Sequence, residues 1–332
     1  MIAAHAANKS LVEGPPELIA ALRQAYQEQA AKLEDPAPEP SPQGPANQTL
    51  LSTTDPDAEL ARRRNTPSRL SYKQHRVVDD ARGVITAQCT TGGSAAEDRQ
   101  LVGLVEQHEQ NTFIPVQTVV ADSQYGTAEN FLACADRGLH AHMADWKTAH
   151  PGGGAPKSYF RPEQFVYDAA SDTYRCPAGK TLQRYQKRAD KPAWEYKASK
   201  SVCAQCALRA QCTASQTGRR IQRFERQAEL DWLRAQANGS AARKDRRRRQ
   251  HLMEGSFADA ANCHGFKRSR WRRLWRQQIQ NHLIAACQNI RILLRNRRPR
   301  PTAAGSAQKV TQACCLPPLP WLLTTDQPWS LN

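Results

Sequence analysis

Residues 70–78 and 83–91 are rich in β-branched and aromatic side chains, and Asp79, Asp80, Ala81 and Arg82 stand between them. That pattern predicts two strands closed by a hairpin turn. Residues 95–110 place Leu101, Leu104, Val105 and His108 at helical spacing. The short apolar run from Val116 to Ala121 predicts a strand that delivers Asp122 into a turn. Residues 127–136 read as a helix ended by Arg137 and Gly138, and residues 139–143 as a further short strand. The order strand–strand–helix–strand–helix–strand predicts an α/β fold built on a mixed sheet flanked by helices. Outside this frame, residues 18–33 have helical character and run into the Pro-rich stretch 35–42, an extended linker. Residues 228–261 read as helical. Residues 270–294 form a helix whose Trp271, Leu274, Trp275, Ile279, Leu283, Ala286, Ile290 and Leu293 predict a core-facing stripe.

The periodicity fails between 146 and 225, where Gly152, Gly153 and Gly154, scattered aromatics and four cysteines suggest an insertion with its own local order. The chain therefore divides into an N-terminal helical and linker segment (1–69), the first part of a core (70–145), a cysteine-bearing insertion (146–227), a helical completion (228–300) and an irregular tail (301–332).

Charge narrows the class of partner. The chain carries 47 Lys and Arg against 31 Asp and Glu, a net +16. Residues 241–300 hold 17 basic residues against Asp245, Glu254 and Asp259, or +14, nearly the whole imbalance. A basic stripe this dense favours a polyanion, nucleic acid foremost, over a merely solvated face. The candidate phosphate contacts are Arg246, Arg247, Arg248, Arg249, Lys267, Arg268, Arg270, Arg272, Arg273 and Arg276. No stretch reaches the roughly 20 apolar residues of a membrane span, and the first residues do not read as a signal peptide. Ten cysteines without that signal point to a reducing compartment, so the chain is read as cytoplasmic and nucleoid-associated.

Two acids stand out. Asp122, at a strand-to-helix junction, is either a metal ligand or a cap. Glu254 lies in a strongly basic helix, where it either neutralises neighbours or shares a divalent ion with Asp122. Cys176, Cys203, Cys206 and Cys212 have spacing suited to a structural zinc; the alternative is a set of reduced, partly buried thiols. Cys89, Cys134, Cys263 and Cys287 fall on apparent core faces.

Three segments, taken in order, resemble bacterial insertion-sequence transposases of the DDE class, which have an RNase H-like catalytic core. They are Tyr72 to Asp79 (Tyr-Lys-Gln-His-Arg-Val-Val-Asp), Val119 to Asn130, and Glu254-Gly-Ser-Phe257 with the downstream Gln280, Gln288 and Asn289. The branch it most resembles carries a cysteine-bearing, zinc-ribbon-like insertion between the second and third catalytic acids. The resemblance implies that Asp122 and Glu254 are catalytic and bind Mg2+ or Mn2+, with Zn2+ held by the four cysteines. It also implies double-stranded DNA, both element ends and target, as partner, and a homo-oligomer assembled on it. The implied activity is DNA transposition by metal-dependent phosphodiester hydrolysis and strand transfer.

Two departures qualify this. The family's first Asp lies on its first core strand, and residues 1–8 resemble that strand's second half, so the Asp falls just before Met1. The expectation is an N-terminally truncated product lacking one ligand. Asp79, Asp80 and Asp55 read instead as turn residues. Ala261 stands where relatives often place a DNA-contacting Lys. The alternatives are a catalytically inactive, repressor-like protein bound to element ends, and a zinc-stabilised RNA-binding protein.

Overall fold

The computed structural model describes residues 1–32, 45–62, 66–145 and 158–297. The Pro-rich stretch 35–42, the glycines at 152–154 and the tail beyond 300 lie outside the described residues.

The elements in chain order are β1 (Ile2–Ala3), β2 (Leu11–Glu13), α1 (Pro16–Lys32), α2 (Pro45–Thr49), β3 (Leu50–Ser52), β4 (Glu59–Ala61), β5 (Arg69–Val78) and β6 (Ile85–Gly92). Next come α3 (Leu101–Thr112), β7 (Thr118–Ala121), α4 (Ala128–Asp136) and β8 (His140–Met143). A second run holds β9 (Val166–Asp168), β10 (Thr173–Arg175), β11 (Thr181–Lys187), β12 (Ala193–Ala198), α5 (Lys200–Ala204) and β13 (Arg220–Phe224). The helices α6 (Gln227–Ala237), α7 (Ser240–His264) and α8 (Leu274–Arg297) complete it.

The hairpin forms as its sequence predicts. The Asp79 carboxylate accepts from Val84 N at 2.6 Å, and Gly83 takes a φ of +74°, a conformation a side chain disfavours. In α4, the Thr127 hydroxyl accepts from Asn130 N at 3.3 Å and caps the first turn. The helix expected over 228–261 is two, broken at Asn238 and Gly239.

The single mixed sheet expected from the element order is instead two. One sheet has β1, β4 and β6 all antiparallel to β5; the other is the parallel pair β7–β8. They stay separate because no described strand lies between β5 and β7. Two helices span the gap. On one face α3 packs against β5 and β6 and sends Leu101 and Val105 into the core around β7, β8 and α4. On the other, α7 is tied to β8 by His142 Nδ1 and Asp245 Oδ2 at 2.7 Å and to β5 by Arg76 Nη1 and Ser256 Oγ at 2.7 Å.

Strands β9 to β13 form one antiparallel sheet with its own core of Phe165, Tyr174, Leu182, Tyr196 and Ile221. Its Ala193 and Phe224 join the core shared by α4, α6 and β8.

Helix α8 departs most from its predicted role. It begins at Leu274 rather than Arg270, because the Asp55 carboxylate accepts from Arg273 N at 3.0 Å and that of Asp57 from Leu274 N at 2.9 Å. These acids, brought from the β3–β4 loop, satisfy amides that a helix start leaves unpaired. The apolar stripe expected to face the core is largely exposed: Ile279 at 45 %, Leu283 at 57 % and Ile290 at 56 %, with Trp271 ahead of the helix. The buried face is instead Gln277, Gln280, Asn281, Ile284, Ala285 and Gln288. Specific bonds make this polar face viable. Asn281 Nδ2 donates to Thr90 Oγ1 at 2.8 Å, Gln280 Nε2 to Arg268 O at 2.9 Å, and Gln288 Nε2 to Ser256 O at 2.8 Å.

Candidate functional site

A cleft of about 1540 Å³ lies between β5 and β7, roofed by α3 and floored by α7. Asp122 sits at its lip. The 3-10 turn after β7 begins there, and the Asp122 carboxylate caps it, accepting from the Ser123 hydroxyl at 3.1 Å and from its amide. The capping alternative is thus realised in the geometry, while the side chain stays exposed at the cleft.

Glu254 is also exposed and accepts from Gln250 Nε2 at 2.9 Å, one turn earlier on α7. The α7 residues that line the cleft are Asp245, Arg248, Arg249, Leu252, Met253, Phe257 and Ala261. Glu254 is not among them, because a helix rotates by about 100° from Met253 to its neighbour. The structure therefore brings Asp122 to the cleft and leaves Glu254 on the adjoining flank. Mg2+ demands near-octahedral oxygen donors, and among the described residues no group of three or more His, Cys, Asp or Glu side chains could hold a metal.

The basic residues divide by surroundings. Arg248 is exposed beside the cleft and donates to Asp80 O; Arg249 is half-buried within it. Arg247, Lys267, Arg268, Arg270, Arg272 and Arg276 expose their side chains, Arg276 lying 5.0 Å from the Trp275 ring. Arg246 turns inward to donate to Ala237 O at the end of α6, and burial lowers its pKa. Arg273 is held 3.7 Å from the Asp57 carboxylate and over the Tyr26 ring at 4.7 Å. Its role is structural.

The sequence reading passed over the buried polar groups of β5. His75 lies with Nδ1 3.2 Å from the Tyr125 hydroxyl and Nε2 3.0 Å from Thr91 Oγ1. Burial, then Lys73 and the N-terminal amine, lower its pKa to about 4. Arg76, also buried, stacks 4.4 Å over Phe257 and donates to Gln288 Oε1 at 3.1 Å, and burial brings its pKa down to about 10. Asp55, read as a turn residue, does close a turn through Ala58 N. Its carboxylate is nevertheless fully buried and accepts from the Tyr72 hydroxyl at 2.7 Å. The signal available was the unbroken polar run Lys73, Gln74, His75 and Arg76 within a strand.

Cys176, Cys203, Cys206 and Cys212 line one small pocket at the end of the five-stranded sheet. Lys180 N donates to Cys176 Sγ at 3.3 Å, the kind of amide support a thiolate ligand uses. Burial raises the Cys212 pKa, with the other three thiols adding to it. The donor set suits zinc, although the described thiols do not stand in metal-holding geometry. Of the remaining cysteines assigned to core faces, Cys134 is buried and Cys89 half-buried, with burial raising both thiols to about 11. Cys263 and Cys287 are exposed, which corrects their assignment: they lie on helix flanks that no other described element covers.

Residues 175–294 match the family model of the transposase DDE domain. The match spans 120 of the 332 residues and takes in the four cysteines, Glu254, the basic helices and the buried amides of α8. No curated protein and no solved structure matches the chain. A transposition-related function is what this similarity suggests, and among the described residues no helix is long and apolar enough to cross a membrane.

Proposed function

We propose that the protein binds the ends of a mobile DNA element and acts in its transposition, by the phosphodiester cleavage and strand transfer of the DDE class. The observation that carries this reading is the match over 175–294, joined to an exposed carboxylate, Asp122, at the lip of a cleft beside Arg248. The exposed guanidinium and ammonium groups of α7 and of residues 267–276 supply the charge that duplex phosphates require. In this reading β5 to β8 with α3 and α4 form an RNase H-like core, and β9 to β13 are the insertion between the second and third acids. Mg2+ or Mn2+ is the cofactor of cleavage, and Zn2+ orders the cysteine loop.

A second reading is favoured by the position of Glu254 outside the cleft: a protein that occupies element ends without cutting them, as a repressor does. Nicking of a labelled end duplex in Mg2+ or Mn2+ separates the two. The transposase reading expects nicking that disappears in Asp122→Ala and in Glu254→Ala. Binding without nicking selects the repressor, and nicking that survives both substitutions removes these acids from the chemistry.

A further inference from the structure

Residues paired across neighbouring strands share a face, so the register of the five-stranded sheet sorts its side chains into two sets. Tyr174, Leu182, Tyr196 and Ile221 point into the sheet's own core. The opposite face carries a polar row that crosses the sheet: Arg220 beside Lys197, Lys197 beside Gln183, Gln183 beside Thr173, with Asp168 at the end. Gln183 and Arg220 are exposed and Lys197 is half-buried.

Tyr185 stands out on this face. The register slips between Arg184 and Gln186, a bulge that leaves Tyr185 without a partner on β12. Arg184 pairs with Tyr196 and stacks 3.5 Å from the Trp194 ring on the core side. The Tyr185 ring lies on the other side, 4.7 Å from Lys197 Nζ and 5.6 Å from the Arg220 guanidinium. The bulge thus turns an aromatic ring outward between two cations, and the residue is 52 % exposed. Glu195, buried beside Arg220, is shared between Arg188 at 3.0 Å and Arg220 at 3.4 Å, so the charge around the ring stays positive.

We propose that this face binds a single strand of DNA, with an unpaired base stacked on Tyr185 and the flanking phosphates on Lys197 and Arg220. Aromatic rings with cations beside them are the recurring platform for unpaired bases, whose faces a duplex keeps covered. Gln183, in the same row, presents a donor and an acceptor to base edges. A protein partner calls for an apolar centre. The large apolar side chains exposed on this face are Val166 and Tyr185, on β9 and β11 with β10 between them. The face ends at Ala193 and Phe224, which join the core shared with α4. Lys191 Nζ, in the β11–β12 hairpin, is 3.0 Å from Glu129 Oε1 in the first turn of α4. The sheet is therefore anchored next to the turn that Asp122 begins. The choice of DNA rests on the transposition reading; the single-strand site rests on the sheet face alone.

The test measures fluorescence anisotropy of the full chain with labelled oligothymidylate, with oligouridylate and with a DNA duplex of the same length. The wild type is expected to bind oligothymidylate, and Tyr185→Ala to weaken that binding by roughly tenfold or more while duplex affinity stays within about twofold. Tyr185→Phe keeps the ring and is expected to bind as the wild type does. Should Tyr185→Ala disturb the bulge, Gln183→Glu, which leaves the ring in place and adds a repelling charge, is expected to weaken oligothymidylate binding as well. Absence of oligothymidylate binding, or equal losses on single strand and duplex in Tyr185→Ala, overturns the proposal. Oligouridylate bound as tightly or more tightly overturns DNA as the occupant. Tyr185-dependent binding of oligothymidylate by a protein that ignores the duplex supports this site and removes the reading of duplex element ends.

Discussion

The Tyr125 hydroxyl and His75 Nδ1 meet at 3.2 Å, joining the turn after β7 to the middle of β5 across the cleft. Thr91 donates its hydroxyl to Gly92 O at 3.2 Å, so His75 Nε2 is the donor to Thr91 and Nδ1 accepts from Tyr125. A neutral imidazole fits both bonds as they stand, and protonation reverses the second, Nδ1–H then donating to the Tyr125 oxygen.

This arrangement predicts a pH dependence of stability. The folded pKa of His75, about 4, lies below the ordinary 6.5, so the unfolded chain binds the proton first as pH falls. The contribution is complete above pH 6.5, declines below it, and is gone by about pH 4. A displacement of this size corresponds to about 3 kcal/mol. Denaturant unfolding of the wild type and of His75→Gln should show a stability difference that shrinks from pH 7 to pH 4. A difference that stays constant over that range would remove His75 as its source.

Asp55 joins two segments far apart in sequence, accepting from the Tyr72 hydroxyl and from Arg273 N. Asp55→Ala leaves two donors without their acceptor, at roughly 1–3 kcal/mol each. Asp55→Asn keeps an acceptor oxygen and is expected to cost about 1 kcal/mol or less. Equal losses in the two variants, read from urea midpoints at unchanged slope, would show that the carboxylate does not cap α8.

Local signals made the first half of the core legible. The β5–β6 hairpin, α3, β7, α4 and β8 each announce themselves by period, turn residues or a cap within about a dozen residues. Helix α8 was misread because periodicity reports an amphipathic face without saying which face is buried. Asn281 finds a partner more than a hundred residues away and Gln288 one on a neighbouring helix, and no local pattern encodes that. The same limit applies at the site. Asp122 is fixed by its own strand end, whereas the side to which Glu254 points depends on the rotation of α7. The gap between the sheets is likewise invisible to a count of elements, because it depends on which edges meet.

The exposed row on α8 predicts self-association. Ile279, Leu283, Ala286, Ile290 and Leu293 follow one another at spacings of four, three, four and three, the repeat of a coiled-coil seam. The expected partner is a second copy of this helix. Sedimentation equilibrium should find a dimer that Leu283→Glu with Ile290→Glu converts to a monomer of unchanged helix content. A wild type that stays monomeric at high concentration would leave this row without that role.

The cysteine pocket predicts a metal-dependent stability confined to one sheet. Cys176 lies in the turn after β10, and the other three thiols lie between β12 and β13, so a zinc ion there closes a loop that the core of Phe165, Tyr174 and Leu182 only partly covers. Protein expressed with zinc should carry one equivalent, released by a strong chelator and lost in Cys203→Ser. Removal should speed amide exchange in β10, β11 and the segment around Cys206, and leave β5 and β6 unchanged, because those strands share no core residue with the pocket. Chelation that leaves exchange around Cys206 unaltered would mean that the thiols are held by burial alone. Unfolding of the whole chain on chelation would instead make the metal part of the main core, which the separate clusters of apolar residues argue against.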